Sequence, residues 1–376
     1  MESSTDFNDH AMKQKIVVFH PIIAPYRIDL FNALAKHYDA DIVLWQRNLR
    51  SQTFDYAKIE SQFEFEPQYL VNEEMGTLQW FKAIWHKLFG KGIDYVLVSE
   101  FGVVTILAVL AKMVFRKRYR LVSIVDDSYN MVAEDNQFSL RHKWATRLLM
   151  PFVDNVVNVE PRVADYYRCH YGKGVYFPII ADDVKAAERL QRVLPISERY
   201  VREYSLEGKK VLLFVGRLVA LKNIAFAIDA YKQIADNHTA FVIVGDGEEM
   251  ASLRAKAAGC QSIIFTGRLE GDELYAWYNV AQVFTLPSTQ EAFGAVTNEA
   301  LQGGCFALVS RLAGSNCLVE NEVNGFVIDP YDEAGFVEAL KAAFSRCEQL
   351  TLPLVQRKSK MLESFNDYFL KLVSNL

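Results

Sequence analysis

Cysteine is scarce and scattered in this chain. The five residues (Cys169, Cys260, Cys305, Cys317 and Cys347) are odd in number and form no C-x-x-C pair. That argues against a disulfide frame or a zinc site, and for reduced cytosolic thiols. The seven histidines lack the H-E-x-x-H spacing of a zinc-binding helix. Positive charge is not in excess. The net charge is −5, so the molecule as a whole is not a nucleic-acid binder by electrostatics. Long hydrophobic runs are missing as well. The longest, FGVVTILAVLA (101–111), is broken by Lys112 and resumes only as MVF, short of the roughly 20 apolar residues that cross a bilayer. The opening MESSTDFNDHAMKQK is polar and acidic with no apolar signal core, which argues against secretion by that route. The expectation is a cytoplasmic protein, soluble or attached peripherally to the inner face of a membrane.

What is present is the composition of a folded enzyme-sized protein. Hydrophobic residues make up 51% and charged residues 23% of 376 positions, enough for two cores. Short β-rich runs alternate with longer helical ones, the pattern of α/β layers around parallel sheets. KIVVFH (15–20), DIVLW (41–45), YVLVSE (95–100), RLVSIVDD (120–127), NVVNVE (155–160) and GVYFPI (174–179) form one series. KKVLLFVGRL (209–218), AFVIVGDGE (240–248), SIIFTG, QVFTLPS, CFALVS and GFVIDP form a second. Two βα series imply two Rossmann-like domains. We place them at residues 1–185 and 186–352, with the polar stretch 183–208 as a hinge and a helical tail over 353–376.

Two stretches of the second series suit phosphate and hydroxyl chemistry, and a third that could do so reads otherwise. In FVGRLVALKN (214–223) a strand ends on Gly216, which lets a ligand approach the backbone. Arg217 and Lys222 follow at the sheet edge where open α/β folds bind ligands. A forked donor and a point charge together fit a diphosphate, and two solvated surface cations fit the sequence equally well. VGDGEE (244–249) lacks the third glycine of G-x-G-x-x-G and is taken as a tight turn. In PSTQEAFGAVTNEALQGG (287–304) a helix is expected to start near Gly294–Val296 and to stop at Gly303-Gly304. Its first N–H groups suit phosphate oxygens. Glu299, one turn in, is placed to accept from paired hydroxyls such as a ribose diol, and Glu291 would face the group beyond the diphosphate. The alternative is a capped helix with an ordinary surface acid.

Taken in order, F-x-G-R-L-x-x-x-K-N, V-G-D-G-E, F-x-G-R-L, P-S-x-x-E-x-F-G-x-x-x-x-E-A-L-x-x-G and G-S-N-x-L-V-E-N-x-x-N-G-F resemble the retaining glycosyltransferases of family 4. The resemblance covers about residues 205–335. It implies the GT-B fold, an α/β architecture of two Rossmann-like domains with the donor nucleotide held mainly by the second. By that resemblance Arg217 and Lys222 would hold the donor diphosphate and stabilise the departing charge. Glu299 would bind the ribose, and Glu291 the donor sugar. Gly216 and the backbone of Phe293, Gly294 and Ala295 would lie beside sugar and phosphate, while Arg268 and Leu269 would line the nucleobase pocket. No cofactor is implied beyond a nucleotide diphosphate sugar (UDP- or GDP-linked) as substrate. No metal is implied either, since the two cations take its role and Asp126-Asp127 is an adjacent pair rather than D-x-D.

The first series matches less closely. HPIIAPYRIDLFNAL (20–34) is similar to the P-Y-R entry of one branch of the family, with Arg27 either at the cleft or on the first helical turn. Where many relatives carry His-Asp, this chain has Asp126-Asp127, either contacts for a sugar or acceptor hydroxyl or caps of the next loop. LQWFKAIWHKLFGKG (78–92) has aromatic residues at helical spacing with lysines between. With RKRYR (116–120) and SLRHKWATRLLM (139–150) it suits an anionic membrane surface, as a lipid-linked glycan acceptor would require; a core-facing helix with solvated lysines is the alternative. The function implied is transfer of a sugar to a hydroxyl of a growing surface polysaccharide. The rivals are a non-catalytic GT-B scaffold and a nucleotide-sugar epimerase of similar shape.

Overall fold

A computed structural model describes residues 13–46, 56–71, 74–134 and 140–376. The chain divides into two compact units. One takes in the chain up to Val125 with 139–157; the other takes in 126–138 and 158–375.

The first sheet has seven strands: β1 (Lys15–His20), β2 (Asp39–Leu44), β3 (Gln68–Tyr69), β4 (Ile93–Ser99), β5 (Arg120–Val125), β6 (Asn155–Asn158) and β7 (Val175–Tyr176). Their order is β3-β2-β1-β4-β5-β6-β7, and the pairs of β1 with β2 and β4, and of β4 with β5, are parallel. Consecutive Ile16, Val17, Val18 and Phe19 fill β1 because helices cover both faces of such a sheet. The intervening helices are α1 (Ile28–His37), α2 (Tyr56–Glu60), α3 (Thr77–Leu88), α4 (Val103–Phe115), α5 (Tyr129–Glu134), α6 (Leu140–Leu149) and α7 (Pro161–Tyr171). Arg27 ends a short turn ahead of α1 and is 4% exposed, so it is a buried cation.

α3 corrects one expectation. Its apolar stripe of Trp80, Ile84 and Leu88 faces the core. Phe81, Trp85 and Phe89 are half-buried against α4. The longer row of exposed apolar side chains belongs to α4 instead. Ser139 of the third basic stretch lies outside the described residues.

Residues 183–203, expected as a polar hinge, form two helices, α8 (Asp183–Arg192) and α9 (Leu194–Glu203). Both rest on α12. The stretch looks polar because only one stripe of each helix, such as Ala186, Leu190, Tyr200 and Val201, is buried. The second sheet has six strands: β8 (Lys210–Val215), β9 (Thr239–Val244), β10 (Ile263–Gly267), β11 (Val283–Leu286), β12 (Phe306–Ser310) and β13 (Gly325–Ile328). They are ordered β10-β9-β8-β11-β12-β13. α10 (Ile224–Lys232), α11 (Met250–Ala257), α12 (Gly271–Val280), α13 (Val296–Gln302) and α14 (Glu333–Ser345) connect and cover them. Strand order reverses between β8 and β11, so the loops leaving these two strands splay apart and open a crevice at their carboxyl ends.

The tail is helical only as α15 (Phe365–Asn375), which lies against β7. The preceding residues run as an irregular strap. Arg357 pins it, donating to the carbonyls of Tyr278 at 2.6 Å and Gly303 at 2.8 Å. The expected helix over 353–376 therefore begins about three turns late. Backbone groups of the strap find partners outside a helix instead: Lys360 N–H donates to the Leu301 carbonyl at 2.8 Å and Leu354 N–H to Glu198 Oε1 at 3.1 Å.

Candidate functional site

The crevice at the β8/β11 switch point is lined by segments that hold one another through backbone contacts. β8 and β9 are each followed directly by a glycine, Gly216 and Gly245, and β10 ends on Gly267. Gly216 N–H donates to the Val244 carbonyl (3.0 Å), Leu218 N–H to the Asp246 carbonyl (2.9 Å) and Gly245 N–H to the Gly267 carbonyl (2.9 Å). A Cβ on Gly245 would sit 1.8 Å from the Gly216 carbonyl oxygen, and one on Gly247 2.4 Å from that of Leu218. VGDGEE is thus a turn, as expected, and its glycines are there because another backbone passes against them.

Lys222 ends a short turn at Ala220–Lys222, and Asn223 at φ 54 leads the chain into α10. Its Nζ is ion-paired with Glu291, and both side chains are less than a fifth exposed. The Lys222 stem also passes over Gly216, whose Cβ position lies 3.9 Å from Lys222 Cε. Arg217 is exposed, and among the described residues its guanidinium has no hydrogen-bond or ion-pair partner. Of two cations at the crevice, one is held by an acid and the other is open to an anion.

Glu291 belongs to the loop after β11. Thr289 N–H donates to Leu221 O at 2.9 Å, stitching that loop to the lysine turn. Phe293 is 2% exposed and anchors the loop, while its carbonyl accepts from Ser315 N–H at 2.8 Å. Gly294 has φ 95, and a Cβ there would meet Leu286, Ser315 and the Glu291 stem within 3.3 Å. Gly294 therefore keeps Glu291 and the start of α13 together. α13 spans Val296–Gln302, as its motif predicts, with Ala295 at its N-cap. The N–H groups of Thr297 and Asn298 already bond to Gly294 and Ala295.

Glu299 is half-buried between α12 and α13. Tyr278 donates to one carboxylate oxygen at 2.6 Å and Tyr275 to the other at 3.2 Å. Burial raises the Glu299 pKa above the ordinary carboxylate value; the Tyr278 hydroxyl, the Arg189 charge and the Tyr275 hydroxyl oppose that rise. Arg189 stacks on Tyr275 at 3.5 Å from the ring centre and bonds Asp272. The helix is itself fixed by Asn298 and Gln302, which grip the backbone of Ala181 at 2.9 Å each. Glu299 is therefore a held group rather than a free surface acid. Its remaining lone pairs can accept from hydroxyls.

The other expected residues are dispersed. Arg268 is exposed and paired with Glu270, and Leu269 is half-buried beside it. Asp126 is exposed at the carboxyl end of β5, whereas Asp127 is buried and accepts from Tyr167 at 2.8 Å. The structure thus brings together Gly216, Lys222, Glu291, Phe293, Gly294 and Ala295, with Glu299 further along α13. Missing from the sequence reading were Tyr275, Tyr278, Arg189 and Ser315. Tyrosines inside an apolar helix carry no sequence mark that separates a hydroxyl donor from a core aromatic.

Comparison with known proteins follows the same lines. The family described as "Glycosyl transferases group 1" matches residues 209–346, the second sheet with its site loops. An uncharacterised glycosyltransferase of Methanocaldococcus jannaschii is 34% identical over 33% of this chain and 33% of its own length. The UDP-Gal:alpha-D-GlcNAc-diphosphoundecaprenol alpha-1,3-galactosyltransferase of Escherichia coli is 35% identical over 35% of each. The chain matches only about a third of the length of these curated relatives. Similarity of structure extends further. Anabaena HepE in complex with UDP has a TM-score of 0.68 at 16% identity over 96% of this chain and 94% of its own. The lipopolysaccharide outer core galactosyltransferase WaaB has 0.60 at 14% identity over 96% and 95%. The fold is therefore the expected α/β fold of the GT-B type.

Proposed function

We propose that the protein is a retaining, metal-independent glycosyltransferase that moves a sugar from a nucleotide diphosphate sugar to a hydroxyl of a lipid-linked glycan in cell-surface polysaccharide assembly. The observation that carries this reading is the meeting of Lys222, Glu291 and the Gly294 backbone beside Gly216 at the switch point of the second sheet. An anionic donor entering there meets the open Arg217 guanidinium and displaces Glu291 from Lys222. Two cations then face the diphosphate and stabilise the charge that develops as the glycosidic bond breaks. Glu291, released, accepts from hydroxyls of the sugar. Glu299, steadied by two tyrosines, accepts from the ribose diol. The leaving phosphate takes the proton of the attacking hydroxyl on the same face, which retains the anomeric configuration.

A uridine donor is favoured by the UDP and UDP-glucose held in similar structures, and a lipid diphosphate acceptor by the name of the Escherichia coli relative. The test is to incubate the protein with UDP- and GDP-sugars and a polyprenyl diphosphate-linked glycan, with and without chelator. The expected result is one extended glycan with the donor's anomeric configuration, at a rate the chelator does not change. Release of an altered nucleotide sugar would instead mark an epimerase, and no reaction with any donor would mark a scaffold.

A further inference from the structure

α4 is apolar on two sides, and only one of them is used by the fold. Val104, Thr105, Ala108, Val109 and Ala111 are buried against β4, β5, α3 and α6. Val103, Ile106, Leu110, Met113, Val114 and Phe115 are exposed, with Met113 at 55% and Val114 at 64%. Their spacing of three and four residues makes one stripe along a helix about 20 Å long. On neighbouring α6, Trp144 (61% exposed) and Leu148 (63%) stand one turn apart. Monomeric soluble proteins rarely expose so continuous an apolar strip without using it.

Charge narrows the choice of what covers it. Residues 77–92, 101–120 and 140–153, which hold α3, α4 and α6, contain no Asp or Glu. Their exposed cations include Lys82, Arg116, Arg118 and Arg147. A second copy of the chain docked symmetrically on this face would set these cations against themselves with no acid to pair them. An anionic bilayer satisfies both the apolar stripe and the cationic rim. Between α3 and α4 there is also a groove of about 520 Å³, lined by Phe81, Trp85, Phe89 and Leu107. Phe115 closes its aromatic wall, with ring centres 5.4 Å from Trp85 and 5.1 Å from Phe89. Its apolar wall and its position beside the stripe suit a stretch of acyl chain. No helix among the described residues is long and apolar enough to cross a membrane, so α4 is suited to lie in the interface.

We propose that the outer face of α4, with Trp144 and Leu148 of α6, seats in the headgroup–acyl boundary of an anionic membrane. It belongs to the first unit alone. It deepens the lipid-linked acceptor reading but does not depend on the donor site.

The test is sedimentation of the full chain with vesicles of phosphatidylcholine, either alone or with about a third phosphatidylglycerol. The wild type should pellet with the mixed vesicles and not with the neutral ones. The double variant Ile106→Glu/Met113→Glu should bind them about tenfold or more weakly, while a nucleotide sugar raises its melting midpoint as much as in the wild type. That second reading shows the variant is folded. No pelleting of the wild type with anionic vesicles, or equal pelleting of the variant, would overturn the proposal. So would a wild type that ignores vesicles but self-associates in solution through this face, with the variant monomeric.

Discussion

Glu291 and Glu299 are the same side chain, one in the loop after β11 and one in α13, and their surroundings give them different properties. Glu291 is the counter-ion of Lys222, so it competes with any phosphate for that lysine. Glu291→Gln should therefore tighten binding of the bare nucleoside diphosphate, by about tenfold if the pair is worth some 1.4 kcal/mol, while transfer falls. Calorimetric titration alongside a transfer assay checks both, and weaker diphosphate binding would sink the idea that Glu291 occupies the phosphate's cation. Glu299 is governed by burial, which raises its pKa. The folded state then binds its proton more tightly than the unfolded chain does. The stability it contributes is fully present below the unfolded value of about 4.3 and is lost as pH rises through the raised folded value. Glu299→Gln should flatten that loss, so its melting midpoint relative to wild type climbs from acid to neutral pH. Tyr278→Phe removes a hydroxyl that favours the charged form, and should deepen the loss and carry it to higher pH. Melting curves across pH report both. Glu299→Gln should also weaken donor binding by roughly ten- to a hundredfold, the scale of a hydrogen bond to a charged group.

At the scale of elements, the site is a set of loops locked by close backbone approach. The three strand-end glycines are part of that lock, and Gly245 is its tightest point. Its Cβ position lies 1.8 Å from a backbone oxygen, which cannot swing aside as a side chain would. Gly245→Ala should cost about 3 kcal/mol or more and abolish donor binding. Gly102→Ala, with nothing within 4 Å of its Cβ position, should do neither. Thermal melts with and without a nucleotide sugar distinguish them. The same contacts explain what was legible in the sequence. Close approach demands glycine, so FVGRLVALKN, VGDGEE and EAFGAVTNEALQGG each carry that contact in residue type, and the phosphate role proposed for Arg217 and Lys222 rests on their charge. Periodicity likewise marked β8 to β13 and the span of α13. Tyr278 could not be read that way, since only the packing of α12 on α13 turns an apolar-looking helix position into a donor for Glu299. Nor could the surface of α4. Helical spacing in 78–92 is real, but a stripe of aromatics looks the same whether it faces a core or a lipid. α3 buries its stripe, and α4, apolar all round, has a second face left over.

For the molecule as a whole, charge and cores are both divided. The net charge is −5, yet residues 77–154 hold eleven Lys or Arg against seven acids, so the acidic excess lies in the rest of the chain. A uniformly acidic protein would be repelled by an anionic bilayer, whereas this distribution lets one sector approach it. The first unit holds β1 to β5 and the second holds β8 to β13, each set with its own buried core, which is the condition for unfolding as a separate cooperative step. The donor contacts proposed above, except Asp126, fall within the span of β8 to α13, and the proposed lipid contacts fall on α4 and α6. Calorimetry should therefore resolve two transitions. A nucleotide sugar at about 100 times its dissociation constant should stabilise one of them by roughly 2.7 kcal/mol and leave the other in place. Anionic vesicles should shift the other one, and Ile106→Glu/Met113→Glu should erase that response without touching the first. A single transition moved equally by both ligands would mean that the units unfold together, and that donor and membrane act on one cooperative structure.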